Sequence, residues 1–278
     1  MIDRRIFLAS AAAFIGLPGA CVGQGAGLGL KDSIRPGELI VGKTDPGTTI
    51  TLDAKPVAVS REGRFAFGFA YDRKRSSTLE ALFADGSMER REITPALREY
   101  EIQRISGLPE SFVTPPADVL DRIKRESASI KDARESASDF AFFADGFEWP
   151  VAGIVSSLYG SQRILNGQPR APHLAVDIAA PTGTPIRSAA PGIVTLIGDL
   201  YFDGMFTILD HGQGVSTCYA HQDRILVNKG DMVERGQVIG EVGRTGRVTG
   251  PNLHWGMNWF QLDLDPSLST AAPRPPKA

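Results

Sequence analysis

Two stretches of the chain alternate apolar and polar residues, and a stretch of helical spacing separates them. Thr49-Ile50-Thr51-Leu52 alternates, Asp53-Ala54-Lys55-Pro56 turns, and Val57-Ala58-Val59-Ser60 alternates again. Phe65, Phe67 and Phe69 then share one face at period two, with Glu62-Gly63 and Asp85-Gly86 as turn signals. This pattern predicts a small β-sandwich over residues 36–95. Over 114–138 the spacing changes. Val119, Ile123 and Ile130 recur at helical intervals among Asp121, Lys124, Arg125 and Glu126. Thr114 is expected to cap this helix, and Pro115 and Pro116 suit its first turn. The apolar stripe thins toward Asp139, so a spacer helix packed on one side is expected. From Phe147 onward, apolar runs at 151–158, 192–197, 205–210, 214–220, 224–227 and 237–242 are separated by Gly, Asn or Asp. They predict a second, larger β unit over 148–262. Residues 266–278 are rich in Pro, Ala and Ser and are expected to be disordered. The fold class expected is mostly β.

Composition supports a chain with a packed interior: 278 residues, 42% hydrophobic and 22% charged. With 30 basic and 32 acidic residues the net charge is −2, which gives no electrostatic reason to expect a nucleic-acid partner. Residues 1–22 read as a signal peptide: Arg4 and Arg5 precede the apolar run Ile6–Leu17, which is too short to span a bilayer. Arg4-Arg5-Ile6-Phe7-Leu8 resembles a twin-arginine export signal, with Asp3 where Ser or Thr is usual. An ordinary secretory signal is the alternative. Leu17-Pro18-Gly19-Ala20-Cys21 resembles a lipobox, so membrane attachment through a lipidated Cys21 stands beside cleavage a few residues later. Val22–Asp32 is Gly-rich and reads as a tether. The expected location is the periplasm or cell envelope. Cys218, between Thr217 and Tyr219, has no cysteine partner in the mature chain and is read as a buried, inert thiol.

The candidate chemistry lies in the second β unit. All four histidines, His173, His211, His221 and His254, follow residue 172. His173 and Asp177 are four apart in a segment of strand character, and Asn252 and His254 are two apart, so each pair shares a face. His221 ends the alternating set Thr217, Tyr219, His221. Two imidazoles and a carboxylate with an open fourth position make a catalytic zinc site, and a further histidine beside it can move a proton. His211, in Asp210-His211-Gly212-Gln213-Gly214, reads as part of a hairpin turn. Arg163 and Tyr159, in Tyr159-Gly160-Ser161-Gln162-Arg163, are candidates for lining a substrate groove, with a structural loop as the alternative; Asn166 is a weaker one.

These residues resemble a family. His173-Leu174-Ala175-Val176-Asp177 is similar to the H-x-G-x-D metal motif of lysostaphin-type (LytM-like) peptidases. Thr217-Cys218-Tyr219-Ala220-His221 resembles their T-x-Y-x-H segment, and Gly250-Pro251-Asn252-Leu253-His254-Trp255 their G-P-H-L-H-F segment. Lys229-Gly230-Asp231-Met232-Val233 and Gly236-Gln237-Val238-Ile239-Gly240 fall between them in the family's order. The resemblance covers about 148–262. It implies a twisted antiparallel β fold and endopeptidase activity on peptidoglycan cross-links. By motif position it implies that His173, Asp177 and His254 hold Zn²⁺ and that His221 is catalytic. Two residues depart from the pattern. Ala175 replaces a glycine, and Asn252 replaces the first histidine of H-x-H. Asn252 has no titratable group, so its remaining catalytic role is to donate a hydrogen bond to a developing oxyanion. That substitution keeps open a non-catalytic relative that binds cell wall or regulates another hydrolase. The Lys229-Gly230-Asp231 pattern also occurs in biotinyl and lipoyl carriers, but no modifiable lysine stands at a hairpin tip.

Overall fold

A computed structural model describes residues 27–31, 33–107 and 114–277. The export signal, Arg4, Arg5 and Cys21 lie outside the described residues. The first β region holds β1 (Leu39–Lys43), β2 (Thr49–Leu52), β3 (Lys55–Val57), β4 (Arg64–Gly68), β5 (Ser77–Leu82) and β6 (Met88–Ile93). β1 pairs with β4, and the other four form a sheet in the order β3-β2-β5-β6. Ile40, Ile50, Phe65, Phe67 and Leu79 fill the space between the two sheets. Each such burial contributes about 1.5–3 kcal/mol. Leu28 also packs into this core, so part of the expected tether is fixed. β4 is buried on both faces. Its phenylalanines face the small core, while Ala66, with Leu39, enters the main core of the second β region.

β7 (Ile102–Ile105) had no counterpart in the sequence pattern. It lies parallel to β9 (Gln162–Leu165), which also pairs with β10 (Gln168–Pro169), so a strand from the N-terminal half adds directly to the second region. The helix α1 runs Leu120–Arg134 after a short 3-10 turn at Ala117–Val119, shorter than the expected 114–138. Thr114 does not cap it, and neither turn nor helix has a side-chain cap. Ile130 and Ala133 seat α1 against Leu196 and Ile208, and Arg122 Nη2 donates to Asp199 O at 2.9 Å.

The large sheet comprises β8 (Ile154–Ser157), β11 (Val176–Ala179), β12 (Pro185–Arg187), β13 (Gly192–Leu200), β14 (Gly204–Asp210), β15 (Val215–Ile225), β16 (Met232–Val233), β17 (Val238–Val242), β18 (Asn252–Trp259) and β19 (Leu262–Leu264). Its main path runs β16-β13-β14-β15-β18-β11-β8; β17 pairs with β12 and β15, and β19 with β18. The runs expected at 214–220 and 224–227 are one long strand, β15. One face of the central strands packs Tyr219, Leu253, Trp255 and Met257 into the main core. The opposite face carries Cys218 and Ala220. The tail, expected to be disordered, instead follows the sheet. Asp265 caps a 3-10 turn at Pro266–Leu268, Thr270 bridges Phe147, and Lys277 bridges Val155 and pairs with Glu101.

Candidate metal centre

The centre is assembled across two neighbouring strands and the segment leading into one of them. β11 pairs antiparallel with β18 so that Asp177 stands directly opposite His254. Directly opposed residues project from the same face of a sheet. His173 precedes β11 and is held by a bridge to Ser161. Its Nε2 lies 3.1 Å from His254 Nδ1 and 3.1 Å from Asp177 Oδ1, and His254 Nδ1 lies 2.8 Å from the same oxygen. Three donor atoms, one per residue, thus converge within 4.8 Å of one another. A tetrahedral zinc ion with ligand bonds of about 2.0–2.1 Å sets its ligands about 3.3 Å apart. Two imidazole nitrogens and one carboxylate oxygen at this spacing fit that ion in both donor type and separation.

Two of the three ligands, His173 and Asp177, are oriented from behind, as metal-binding side chains generally are. His173 Nδ1 lies 2.8 Å from Ser157 Oγ, which in turn donates to Gln103 Oε1 at 3.2 Å. With Ser157 donating onward to Gln103, the Ser157 oxygen accepts from His173 Nδ1–H, and Nε2 keeps its lone pair for the centre. Gln103 sits on β7, so the parallel β7–β9 pairing delivers this support from far away in sequence. Arg163 Nη2 donates to Asp177 Oδ2 at 3.0 Å, leaving Oδ1 to face the imidazoles. Burial alone would raise the Asp177 pKa. The two imidazoles packed against it, His173 first and then His254, outweigh burial and hold the carboxyl well below its ordinary range. Burial pulls His173 below the ordinary histidine value, which favours its neutral, ligating form.

His221 reaches the centre by a route that simple alternation does not give. Ala220 pairs with His254, and from Gln222 onward β15 pairs with β17 instead of β18. Strict alternation would place His221 on the buried Tyr219 face. Its left-handed backbone, φ 62°, turns it toward His254, with ring centroids 5.8 Å apart. A non-glycine residue there costs on the order of 1–3 kcal/mol, a strain that typically marks functional positions. His221 Nδ1 donates to Thr245 O at 2.9 Å, so Nε2 is the unprotonated nitrogen of the neutral ring. Burial, and then the neighbouring His254, push its pKa down to about 4.

Asn252 lies on the His254 face of β18 and lines the same cleft as Asp177, His221 and His254. Its Nδ2 donates to Gly250 O at 3.3 Å, while Oδ1 is buried without a partner. The other candidates fall elsewhere. Tyr159 is buried and donates to Asp263 O, so it does not line a groove. Asn166 occupies the left-handed turn between β9 and β10. His211 is fully buried between Pro191 O at 2.6 Å and Thr217 Oγ1 at 2.7 Å. Burial raises the Cys218 thiol pKa to about 11, so it is neither a ligand nor a nucleophile. Sequence reasoning missed Ser157 and Gln103 entirely and offered Arg163 only as a groove residue.

The model of peptidase family M23 matches residues 171–266. The peptidoglycan DD-endopeptidase ShyA of Vibrio cholerae is 45% identical over 85 residues, which cover 31% of this chain and 20% of ShyA. The chain spans between 20% and 24% of the length of the endopeptidase relatives it matches. Lipoprotein YgeR of Escherichia coli is 33% identical over 164 residues, covering 59% of this chain and 62% of YgeR. A crystal structure from Pseudomonas aeruginosa, described as a peptidase M23, superposes with a TM-score of 0.65 at 31% identity, over 85% of this chain and 95% of that one. With a near-complete M23 structure matched at that identity, and the family's segment carrying the converging His, Asp and His, this chain belongs to peptidase family M23.

Proposed function

We propose that the protein is a zinc-dependent endopeptidase that cleaves peptide cross-links of peptidoglycan in the cell envelope. The observation that carries this reading is the convergence of His173, Asp177 and His254 within 4.8 Å at the edge of a cleft that His221 also lines. In it, those three residues hold zinc. Bound zinc supplies Lewis acidity, which polarises a carbonyl and makes water a stronger nucleophile. The chain supplies the rest. Ser157 and Arg163 fix the ligand side chains. His221 Nε2, neutral and held in place through Nδ1, takes the proton of the attacking water and returns it to the leaving amine nitrogen. Asn252 Nδ2 has a second N–H beyond the one given to Gly250 O, and it donates to the oxygen that becomes negative in the transition state. The leader-like N-terminus and the lipoprotein relative support an envelope location. Residues 36–95 serve as a positioning module.

The test is release of soluble fragments from isolated peptidoglycan. His221→Ala is expected to lower the rate by about 10²–10⁴-fold while zinc is retained. Equal background release by parent and variant would refute the reading. Asn252, which cannot titrate, favours a second reading in which the chain binds wall peptide without cutting it. Asn252→His in the same assay separates the two. Gain from zero activity supports the binding role, and a modest change on an active parent supports the enzyme.

A further inference from the structure

His221 is not held by its own strand alone. Between Met205 and Thr207 the pairing of β14 with β15 shifts register, because Met205 stands opposite Gln222 and Thr207 opposite Tyr219. Two steps along β14 therefore face three along β15, and the extra residue makes a β-bulge at Ala220–His221. A bulge leaves part of the ladder unpaired and re-aims a side chain, so its aim must be fixed from outside the strand. Two loops do this. The turn between β13 and β14 holds the main chain, with His221 N–H donating to Asp203 O at 2.8 Å. The loop between β17 and β18 holds the ring, with Thr245 O accepting from Nδ1 at 2.9 Å.

The side chain of Thr245 locks these contacts together. Its Oγ1 accepts from Met205 N–H at 2.9 Å and donates to Gln222 O at 2.8 Å. Met205 and Gln222 are the opposed pair at the end of the bulge, so one hydroxyl spans β14 and β15 beside His221. Two glycines allow the approach. A Cβ on Gly204, φ 61°, would lie 2.2 Å from Thr245 Oγ1, and one on Gly246, φ 71°, would lie 2.5 Å from Gly204 N and Phe202 O. Arg247 anchors the next residue, since its N–H donates to Phe202 O at 2.7 Å and its guanidinium lies 4.3 Å from the Phe202 ring centroid. We propose that Thr245 is a positioning residue for His221. Its hydroxyl seats the loop in the bulge, and its carbonyl then selects the tautomer protonated at Nδ1. In the other tautomer Nε2 carries the proton and cannot accept one from water. The catalytic consequence rests on the peptidase reading, whereas the clamp on the ring does not.

The test uses the zinc-loaded full chain. Long-range proton–nitrogen NMR correlations report the His221 tautomer, assigned by their loss in His221→Ala, and a synthetic cross-linked peptide dimer reports turnover. The parent is expected to show a single His221 tautomer, protonated at Nδ1. Thr245→Val keeps the shape and removes the hydroxyl. In it the two ring nitrogens move toward averaged shifts, kcat falls about 10–100-fold, KM stays within about twofold, and zinc content holds at the parent's level. Thr245→Ser restores the hydroxyl and is expected to recover the single tautomer and most of kcat. Should Thr245→Val not fold, Gly204→Ala takes its place, because the added methyl displaces the same hydroxyl. A parent with mixed tautomers overturns the proposal. So does the parent's tautomer persisting in folded Thr245→Val or Gly204→Ala, a Thr245→Ser as impaired as Thr245→Val, or a loss confined to KM or to zinc content. A parent that holds the Nδ1–H tautomer but cleaves no dimer refutes the peptidase reading, and the tautomer comparison then decides the clamp by itself.

Discussion

The large sheet carries two histidine clusters on opposite faces. On the core face, His211 accepts and donates in a closed set: one nitrogen bonds Pro191 O, the other Thr217 Oγ1, and Thr217 Oγ1 bonds Tyr219 OH, which also receives Ala189 N–H. Every polar atom there has a partner, as buried polar groups require. On the other face, His173 Nε2, His254 Nδ1 and Asp177 Oδ1 converge within 3.1 Å of one another with at most one proton among them, that of His254, because the His173 proton lies on Nδ1. Hydrogen bonds from outside already use the protons on the far sides of His173 and His221. A cluster with too few protons for its acceptors is completed by a cation. Burial alone does not separate the two clusters, since His173 and His211 are both inside. The proton count does.

The comparison can be broken most severely at His211. His211→Ala leaves a cavity and strands Pro191 O and Thr217 Oγ1, so chemical denaturation should show a loss of roughly 3–5 kcal/mol. Zinc content of the folded fraction should be unchanged. A stable variant, or one that loses zinc, would contradict the division into a structural and a metal-binding face. The pH dependence is a milder probe of the same residue. Burial pushes the His211 pKa from 6.5 down to about 4. The unfolded chain therefore takes up a proton that the folded chain refuses. Stability from this group is intact above about pH 6.5 and falls by about 3 kcal/mol as pH drops through the window to about 4. Thr217→Val in the same titration should alter that loss, and an unchanged curve would locate the acid sensitivity elsewhere. The smallest expected effect comes from the support behind the metal site. Ser157→Ala should weaken zinc affinity by about 10–100-fold in a competitive chelator titration while leaving the melting temperature of the zinc-free protein nearly unchanged. Unaltered affinity would show that the Gln103–Ser157–His173 chain positions nothing.

How much of this was legible in the sequence differs between these layers. The strands were legible because alternation is a local signal, and β14, β15 and β18 write it strongly. Asp177 and His254 were readable because their spacings put them on sheet faces, and cross-strand pairing then does the rest. His221 was found for a reason that does not hold. Thr217 and Tyr219 point into the core, and His221 is turned to the opposite face by a positive φ that no alternation rule encodes. Ser157 and Gln103 were missed because their contacts depend on β7 pairing parallel with β9 across 60 residues of chain. Such a pairing leaves no mark on local periodicity. Thr114 failed as a cap because the chain enters α1 through a 3-10 turn that begins three residues later. The tail's contacts were not legible because Pro and Ala suggest disorder, while Asp265 pairs with Arg98, Thr270 bridges Phe147 and Lys277 pairs with Glu101, all far upstream.

The central claim is that the cluster of His173, Asp177 and His254, and not the one around His211, holds the metal. Elemental analysis after zinc loading and exhaustive buffer exchange, carried out on the parent, Asp177→Ala, His254→Ala and the folded fraction of His211→Ala, tests it directly. The account predicts about one zinc per chain in the parent and in His211→Ala, and essentially none in Asp177→Ala or His254→Ala. Stoichiometric zinc in Asp177→Ala and His254→Ala, or none in the parent with excess metal, would contradict it.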